Sequence, residues 1–178
     1  MESFKKWGLR PLSVKGISYL AVLMAIEIVL SRLVIGNANV SFTFTFVAVA
    51  LIARWYGPFW SVGIAFIVDF IQNLMSGQPY FFGFTVSAML GALVYSFAFY
   101  NRKKISLLSI VLVVLFITIF INILMNTLWV SILAHTNFFA FLPIRIVKNC
   151  ISLPIQIGVL YWILNNKNIN HMRPEVFK

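Results

Sequence analysis

Long apolar runs alternate along the chain with short polar segments. Each run approaches the ~20 residues that a helix needs to cross the hydrocarbon core of a bilayer. Turn and breaker residues separate the runs, as at Gly57-Pro58 and between Ser76 and Pro79. The pattern predicts an all-α integral membrane protein with six transmembrane helices, at about residues 16–36, 39–54, 58–75, 81–100, 105–134 and 138–165.

The basic residues lie almost entirely at the two ends of the chain and in alternate connections. They are Lys5, Lys6, Arg10 and Lys15, then Arg54, then Arg102, Lys103 and Lys104, and finally Lys167, Arg173 and Lys178. By the positive-inside rule, both termini and these connections are cytoplasmic. The net charge of +10 therefore follows from topology and indicates no nucleic-acid partner.

Composition agrees with a membrane protein, since 61% of the 178 residues are hydrophobic and only 10% are charged. The length predicts a single domain, 1–178, with a basic N-terminal segment at 1–15 and a basic tail at 166–178. The first run is too long for the apolar region of a signal peptide and contains Glu27 and Arg32. We therefore expect a multi-pass protein of the cell membrane, in contact with the lipid bilayer.

Five ionisable groups remain inside the predicted helices: Glu27, Arg32, Asp69, Arg145 and Lys148. A charge at bilayer depth is costly unless it faces a partner, a cavity or a ligand. Arg145 and Lys148 are the only charges in the last run, and their spacing puts them on one helix face. The predicted orientation places both in the outer half of the membrane. Either acidic residues of other helices or an acidic ligand must therefore neutralise them.

Polar side chains follow regular spacings on the last two predicted helices. Asn122, Asn126 and Trp129 form one stripe on the fifth. The stripe on the sixth consists of Arg145, Lys148, Asn149, Ser152 and Gln156. Together they predict a ligand pocket near the outer face, in which arginine and lysine suit carboxylates and neighbouring aromatic residues suit a flat ring.

Several of these residues have a second interpretation. Asp69 either pairs with Arg145 or Lys148 or accepts N–H groups of a ligand. Arg32 is either a third ligand cation or a side chain that reaches the outer headgroups. The asparagines could equally bond neighbouring helices, and Trp129 could belong to an interfacial belt.

No motif in the sequence indicates an enzyme. There is no phosphate-binding G-x-x-x-x-G-K-[ST] loop, no H-E-x-x-H, no Cys/His cluster and no G-x-S-x-G. We expect no catalytic residue, metal or cofactor, and instead a binding protein that takes energy from partner proteins. Ala21 and Ala25 form a small-x-x-x-small face, which lets another helix approach closely or packs against the chain's own helices.

Several segments carry a resemblance to a known family. They are AVLMAIEIVLSR, GPFWSVGIAFIVDF, PYFFGFTVSAMLGALVYSFAFY, NTLW at Asn126–Trp129 and LPIRIVKN at Leu142–Asn149. Across nearly its whole length the chain resembles the folate-specific substrate-binding S components of energy-coupling factor transporters.

The resemblance implies a function and a set of partners. Such a protein captures folate from outside and delivers it inside with a membrane coupling protein (EcfT type) and two cytoplasmic ATPases (EcfA type). Ala21 and Ala25 would contact the coupling protein. The connections around 37–42 and 76–82 would act as lids, through Phe42, Pro79, Tyr80 and Phe81.

The resemblance also implies how the substrate lies. The pterin would occupy an aromatic slot, and the glutamate carboxylates would meet Arg145, Lys148 or Arg32. The alternatives are an S component for another anionic vitamin or precursor and, in a different class, an intramembrane enzyme or membrane assembly factor.

Overall fold

The protein is almost entirely helical in a computed structural model, which describes residues 11–36, 41–77, 79–102, 104–166 and 169. The helices are α1 (Val14–Arg32), α2 (Thr45–Ser76), α3 (Phe82–Phe99), α4 (Leu107–Phe116), α5 (Asn126–Leu133) and α6 (Phe138–Asn165). A π-helical segment, Ile117–Met125, joins α4 to α5 without a break. Two short strands, β1 (Ile35–Gly36) and β2 (Ser41–Phe42), pair antiparallel between α1 and α2.

The predicted all-α membrane fold is confirmed at the level of five elements, within the described residues, that are long and apolar enough to cross a bilayer. These are Val14–Arg32, Thr45–Ser76, Phe82–Phe99, Leu107–Leu133 and Phe138–Asn165. The second and third predicted helices are the two arms of α2. The first arm begins at Thr45, later than predicted, because β2 occupies the preceding residues.

The two arms of α2 meet at Gly57, whose backbone is not helical (φ 83°, ψ 176°). This region of conformational space is essentially restricted to glycine. Pro58 follows, and its fixed φ and missing N–H suit the first position of a new helical arm. The bend is closely covered, because a Cβ built on Gly57 would lie 2.8 Å from Cε2 of Tyr100.

Gly57→Ala is expected to lower the free energy of unfolding by about 1–3 kcal/mol, since alanine is strained in this conformation and would displace Tyr100. Gly63→Ala is the matched control, because Gly63 lies in the same helix with open space where its Cβ would be. Alanine favours a helix interior over glycine by about 1 kcal/mol, so the control should be neutral or stabilising. Denaturant titration in detergent measures both, and equal stabilities would contradict the prediction.

The core has two parts, and the first arm of α2 belongs to both. One part packs this arm against α3, α4 and α6, with Phe99, Ile110, Val114 and Leu160 completely buried. The other packs α1 against α2 around Tyr56, whose hydroxyl donates to the Gly16 carbonyl at 2.7 Å. Because α2 contacts helices on both sides, it forms the centre of the fold.

Arg54 joins three parts of the chain near the Gly57 bend. It is only 5% exposed, and its guanidinium donates to the carbonyl of Leu164 at the end of α6. It also donates to the carbonyl of Arg102 in the α3–α4 connection, at 3.1 Å. Beside it, Asn165 and Ile105 exchange two hydrogen bonds of 3.2 and 3.0 Å. These bonds fix the end of the molecule at which the basic connections meet.

Candidate functional site

A cavity of about 730 Å³ opens between α1, α2, α3, α6 and the continuous helix from the π-helical segment into α5. Its volume lies in the range of small-molecule binding sites. Aromatic and polar side chains both line it, including Phe46, Phe84, Tyr95 and Phe141. The cavity can therefore contact both a flat ring and charged groups.

One wall of the cavity is the polar face of α6. All five residues of the stripe predicted on this helix line it: Arg145, Lys148, Asn149, Ser152 and Gln156. Within the wall, Asn149 Nδ2 donates to the Arg145 carbonyl at 2.8 Å and Gln156 Nε2 donates to Ser152 Oγ at 2.6 Å. The α-helical spacing is kept although Pro143 and Pro154 lie within α6.

Neither cation of this wall has an acidic partner in the part of the chain that the structure describes. Arg145 Nη1 has only a long contact, 3.4 Å, with the carbonyl of Asn122. Lys148 lies one turn further along the same wall. Two positive charges therefore face the cavity without a counter-charge from the described residues, which is the arrangement that an anionic ligand would complete.

The acidic residues of the cavity come from α1 and α2. Glu27 is 8% exposed and forms no hydrogen bond or ion pair with any described residue. Asp69 Oδ2 accepts a hydrogen bond from Thr85 Oγ1 at 2.7 Å. Asp69 forms no ion pair with Arg145 or Lys148, so that alternative does not correspond to this structure. The other oxygen of Asp69, Oδ1, has no hydrogen-bond partner among the described side chains.

The π-helical segment determines which residues of the fifth predicted helix reach the cavity. In α4 and the first half of the segment, Ile110, Val114, Ile117 and Ile121 form a buried stripe with α-helical spacing. Uniform α-helix would continue this stripe through Leu124, Leu128 and Ile132, which are instead exposed. Because π turns bond residue i to i+5, the buried face moves on by about one residue. As a result Asn122, Asn126 and Val130 line the cavity.

Trp129 lies behind the cavity wall, although its spacing from Asn122 and Asn126 predicts that it faces the cavity. Its Nε1 donates to Ser87 Oγ at 3.0 Å, and its ring packs against Phe81 with centroids 5.8 Å apart. Asn126 does line the cavity, and its buried Oδ1 has no hydrogen-bond partner within the described residues. The two residues predicted to act together thus occupy different layers.

The other predicted residues lie around the cavity rather than on its wall, with the exception of Phe42, which lines it. Arg32 is exposed and donates to the Gln72 carbonyl at 3.2 Å. Pro79, Tyr80 and Phe81 form the connection between α2 and α3. Ala21 and Ala25 are exposed on α1. Residues 37–40 of the first predicted lid, and Gln78 of the second, lie outside the described residues.

Some cavity residues had no place in the predicted substrate-binding set. Glu27, Gln72, Ser87 and Tyr95 all line the cavity. Glu27 is one of the five ionisable groups inside the predicted helices, and this signal could have placed it in the set. Ser87 and Tyr95 carry no comparable signal, because serine and tyrosine are common in membrane helices for other reasons.

Comparisons with known proteins give a consistent result. Residues 15–164 match the family model described as ECF transporter, substrate-specific component. Two relatives named folate transporter FolT are similar over most of their length. The one from Leuconostoc mesenteroides subsp. mesenteroides is 38% identical, covering 97% of each chain. The one from Clostridium novyi (strain NT) is 34% identical, covering 80% of this chain and 84% of its own.

A solved structure shares the fold. The crystal structure of FolT bound with folic acid superposes with a TM-score of 0.79 and 30% identity, covering 86% of this chain and 94% of that one. The relatives are transporters and not enzymes, and the predicted multi-pass location in the cell membrane is confirmed. On the strength of the match over residues 15–164, this chain belongs to the family of ECF transporter substrate-specific components.

Proposed function

We propose that this chain is the folate-binding S component of an ECF-type importer, which captures folate outside the cell. The observation that carries the proposal is the cavity wall formed by Arg145 and Lys148, where two cations have no acidic partner among the described residues. Folate ends in a glutamate with two carboxylates, and these would neutralise both charges. The folate transporters that the chain resembles support the same substrate.

The cations of the cavity lie on α6 and its carboxylates on α1 and α2, and this separation of charge supports one orientation of the substrate. The pterin ring of folate carries N–H donors, and Asp69 Oδ1 on α2 and Glu27 on α1 are acceptors without partners in the described structure. The aromatic lining can contact the ring faces. The proposed orientation therefore places the pterin towards Asp69 and the glutamate towards Arg145 and Lys148.

The proposed topology has six membrane spans with both termini in the cytoplasm, the two arms of α2 counting as separate spans. The bend at Gly57 would then lie on the cytoplasmic side. Support comes from the hydrogen bond of Arg54 to the Arg102 carbonyl in the α3–α4 connection, which brings the basic residues of two connections to one end of the protein. The cavity would open towards the outer face.

Transport requires partners in this proposal. A membrane coupling protein (EcfT type) and two cytoplasmic ATPases (EcfA type) would supply the energy for release inside. Ala21 and Ala25, exposed on α1, would form the contact with the coupling protein. Phe42, Pro79, Tyr80 and Phe81 would close the cavity after folate enters, and Trp129 and Arg32 would support the site from outside its wall.

Calorimetric titration of the purified protein in detergent with folate tests the substrate. We expect binding with a Kd well below about 10 μM, because two charge-assisted contacts and ring burial contribute together. N-acetylglutamate, which has the carboxylates without the ring, should compete only weakly. Binding weaker than that limit would refute the folate assignment, and displacement of folate by a different anionic vitamin at lower concentration would favour the alternative substrate.

A further inference from the structure

A chain of hydrogen bonds joins the α2–α3 connection to the cavity. Tyr80 lies in this connection, and its hydroxyl is 2.7 Å from Thr85 Oγ1 on α3. Thr85 Oγ1 in turn donates to Asp69 Oδ2 on α2, also at 2.7 Å. Thr85 is completely buried, whereas Tyr80 is 42% exposed. The chain therefore runs from the surface through a buried hydroxyl to a carboxylate on the cavity wall.

The direction of the chain follows from the number of protons. A threonine hydroxyl has one proton and two lone pairs, and a carboxylate only accepts. Since the Thr85 proton points to Asp69, Thr85 can only accept from Tyr80, so the tyrosine is the donor. Each bond thus has one possible polarity. In such a chain each hydrogen bond polarises the next, which strengthens the pair relative to two independent hydrogen bonds.

Ring contacts hold the same connection in place. Tyr80 packs edge-on against Phe70, next to Asp69 in α2, with centroids 5.7 Å apart. Phe81 packs on Trp129, whose Nε1 donates to Ser87 on the cavity wall. Gly83 permits this packing, because a Cβ there would lie 2.6 Å from Cδ2 of Trp129 and would also meet Phe81.

We propose that Tyr80 and Thr85 are positioning residues, which hold the Asp69 carboxylate in the orientation that binds substrate and tie the α2–α3 connection to it. The inference rests on the proposed function for its ligand. With Oδ2 held by Thr85, rotation of the carboxylate is restricted and Oδ1 stays directed to a ligand donor. Such preorganisation improves affinity by reducing the ordering that binding requires.

Folate titrations of matched variants test the positioning role. Thr85→Val keeps the side-chain shape but removes the hydroxyl, and we expect about tenfold weaker folate binding. Thr85→Ser restores the hydroxyl and should recover most of the affinity. Ser96→Ala is the control, because it removes another buried hydroxyl of α3, whose one partner among the described residues is the Ala92 carbonyl. The folate affinity of this variant should stay within about twofold of wild type.

The Asp69→Ala background separates positioning from general loss of structure. If Thr85 acts through Asp69, adding Thr85→Val to Asp69→Ala should cause no further loss of affinity. An equal loss in both backgrounds would overturn the proposal, as would wild-type affinity of the Thr85→Val protein. A loss that Thr85→Ser fails to recover would assign Thr85 a packing role instead.

Hydrogen exchange of the ligand-free protein tests the tie to the connection and does not depend on folate. Thr85→Val should speed exchange of the backbone amides of residues 80–84 at least about fivefold relative to wild type, with the amides of α6 unchanged. Unchanged exchange at 80–84 would refute the tie. If the wild-type protein binds no folate, the proposed function fails, and this measurement still tests whether Thr85 ties the connection to α2.

Discussion

Replacing Arg145 with alanine is expected to weaken folate binding by about 2–5 kcal/mol, a loss of about 30-fold to a few thousand-fold. Arg145 faces the cavity with no carboxylate partner among the described residues, so removal of its side chain frees no acidic group of the protein. The binding free energy falls because the ligand carboxylate loses its charge-assisted hydrogen bonds in a partly desolvated site. Calorimetric titration with folate measures the effect.

Two comparisons make this result specific. Lys104→Ala removes an exposed cation before α4 that is not among the cavity-lining residues, and should leave the folate affinity unchanged. Free pterin, which lacks the benzoyl-glutamate, should bind the Arg145→Ala protein as it binds wild type, because the proposed contact is with the tail. Equal losses for pterin and folate would place Arg145 elsewhere than at the glutamate.

Arg54→Met is expected to lower the free energy of unfolding by about 3 kcal/mol or more. The guanidinium donates to the carbonyls of Leu164 and Arg102 and is almost completely buried. Methionine fills a similar volume but leaves both acceptors without this donor. Denaturant titration in detergent measures the loss, and the folate affinity of the folded protein should change little because Arg54 is not among the cavity-lining residues.

Arg32→Met is the matched control for Arg54. Arg32 also donates to a backbone carbonyl, that of Gln72, but from an exposed position. We expect a change in unfolding free energy within about 0.5 kcal/mol. Arg54→Lys should recover only part of the stability, because one ammonium cannot reproduce the planar fork that spans two carbonyls. Equal losses for Arg32→Met and Arg54→Met would mean that burial of Arg54 contributes nothing.

The sequence predicted the residues of α6 well because this helix is regular. Its polar stripe from Arg145 to Gln156 depends only on helical spacing, and the cost of charges in a bilayer explained why the stripe faces a cavity. Arg32 lies 11 and 7 residues after Ala21 and Ala25, a spacing that puts the three on one helix face, and all three are exposed. Where the helix is uniform, residue spacing in the sequence was sufficient to predict which side chains share a face.

Other features depend on contacts between helices, which a single sequence does not contain. The partner of Asp69 is a hydroxyl on α3, and the choice between Thr85 and a cation of α6 depends on how three helices pack. Likewise, Gly57-Pro58 indicated a break, but the strands before Thr45 shifted the start of α2. The prediction for Trp129 was wrong because it assumed a uniform α-helix, whereas the hydrogen bonding changes to the π pattern in the segment just before this residue.

The π-helical segment Ile117–Met125 also bears on how binding specificity could change in evolution. A π turn corresponds to one residue inserted into an α-helix, and deletion of one residue would restore the uniform helix. Such a deletion would turn the asparagine and valine beyond it away from the cavity and bring lipid-facing leucines towards it. A change of one residue in length, at an exposed position of the segment such as Phe120, could therefore replace part of the cavity lining without a single substitution there.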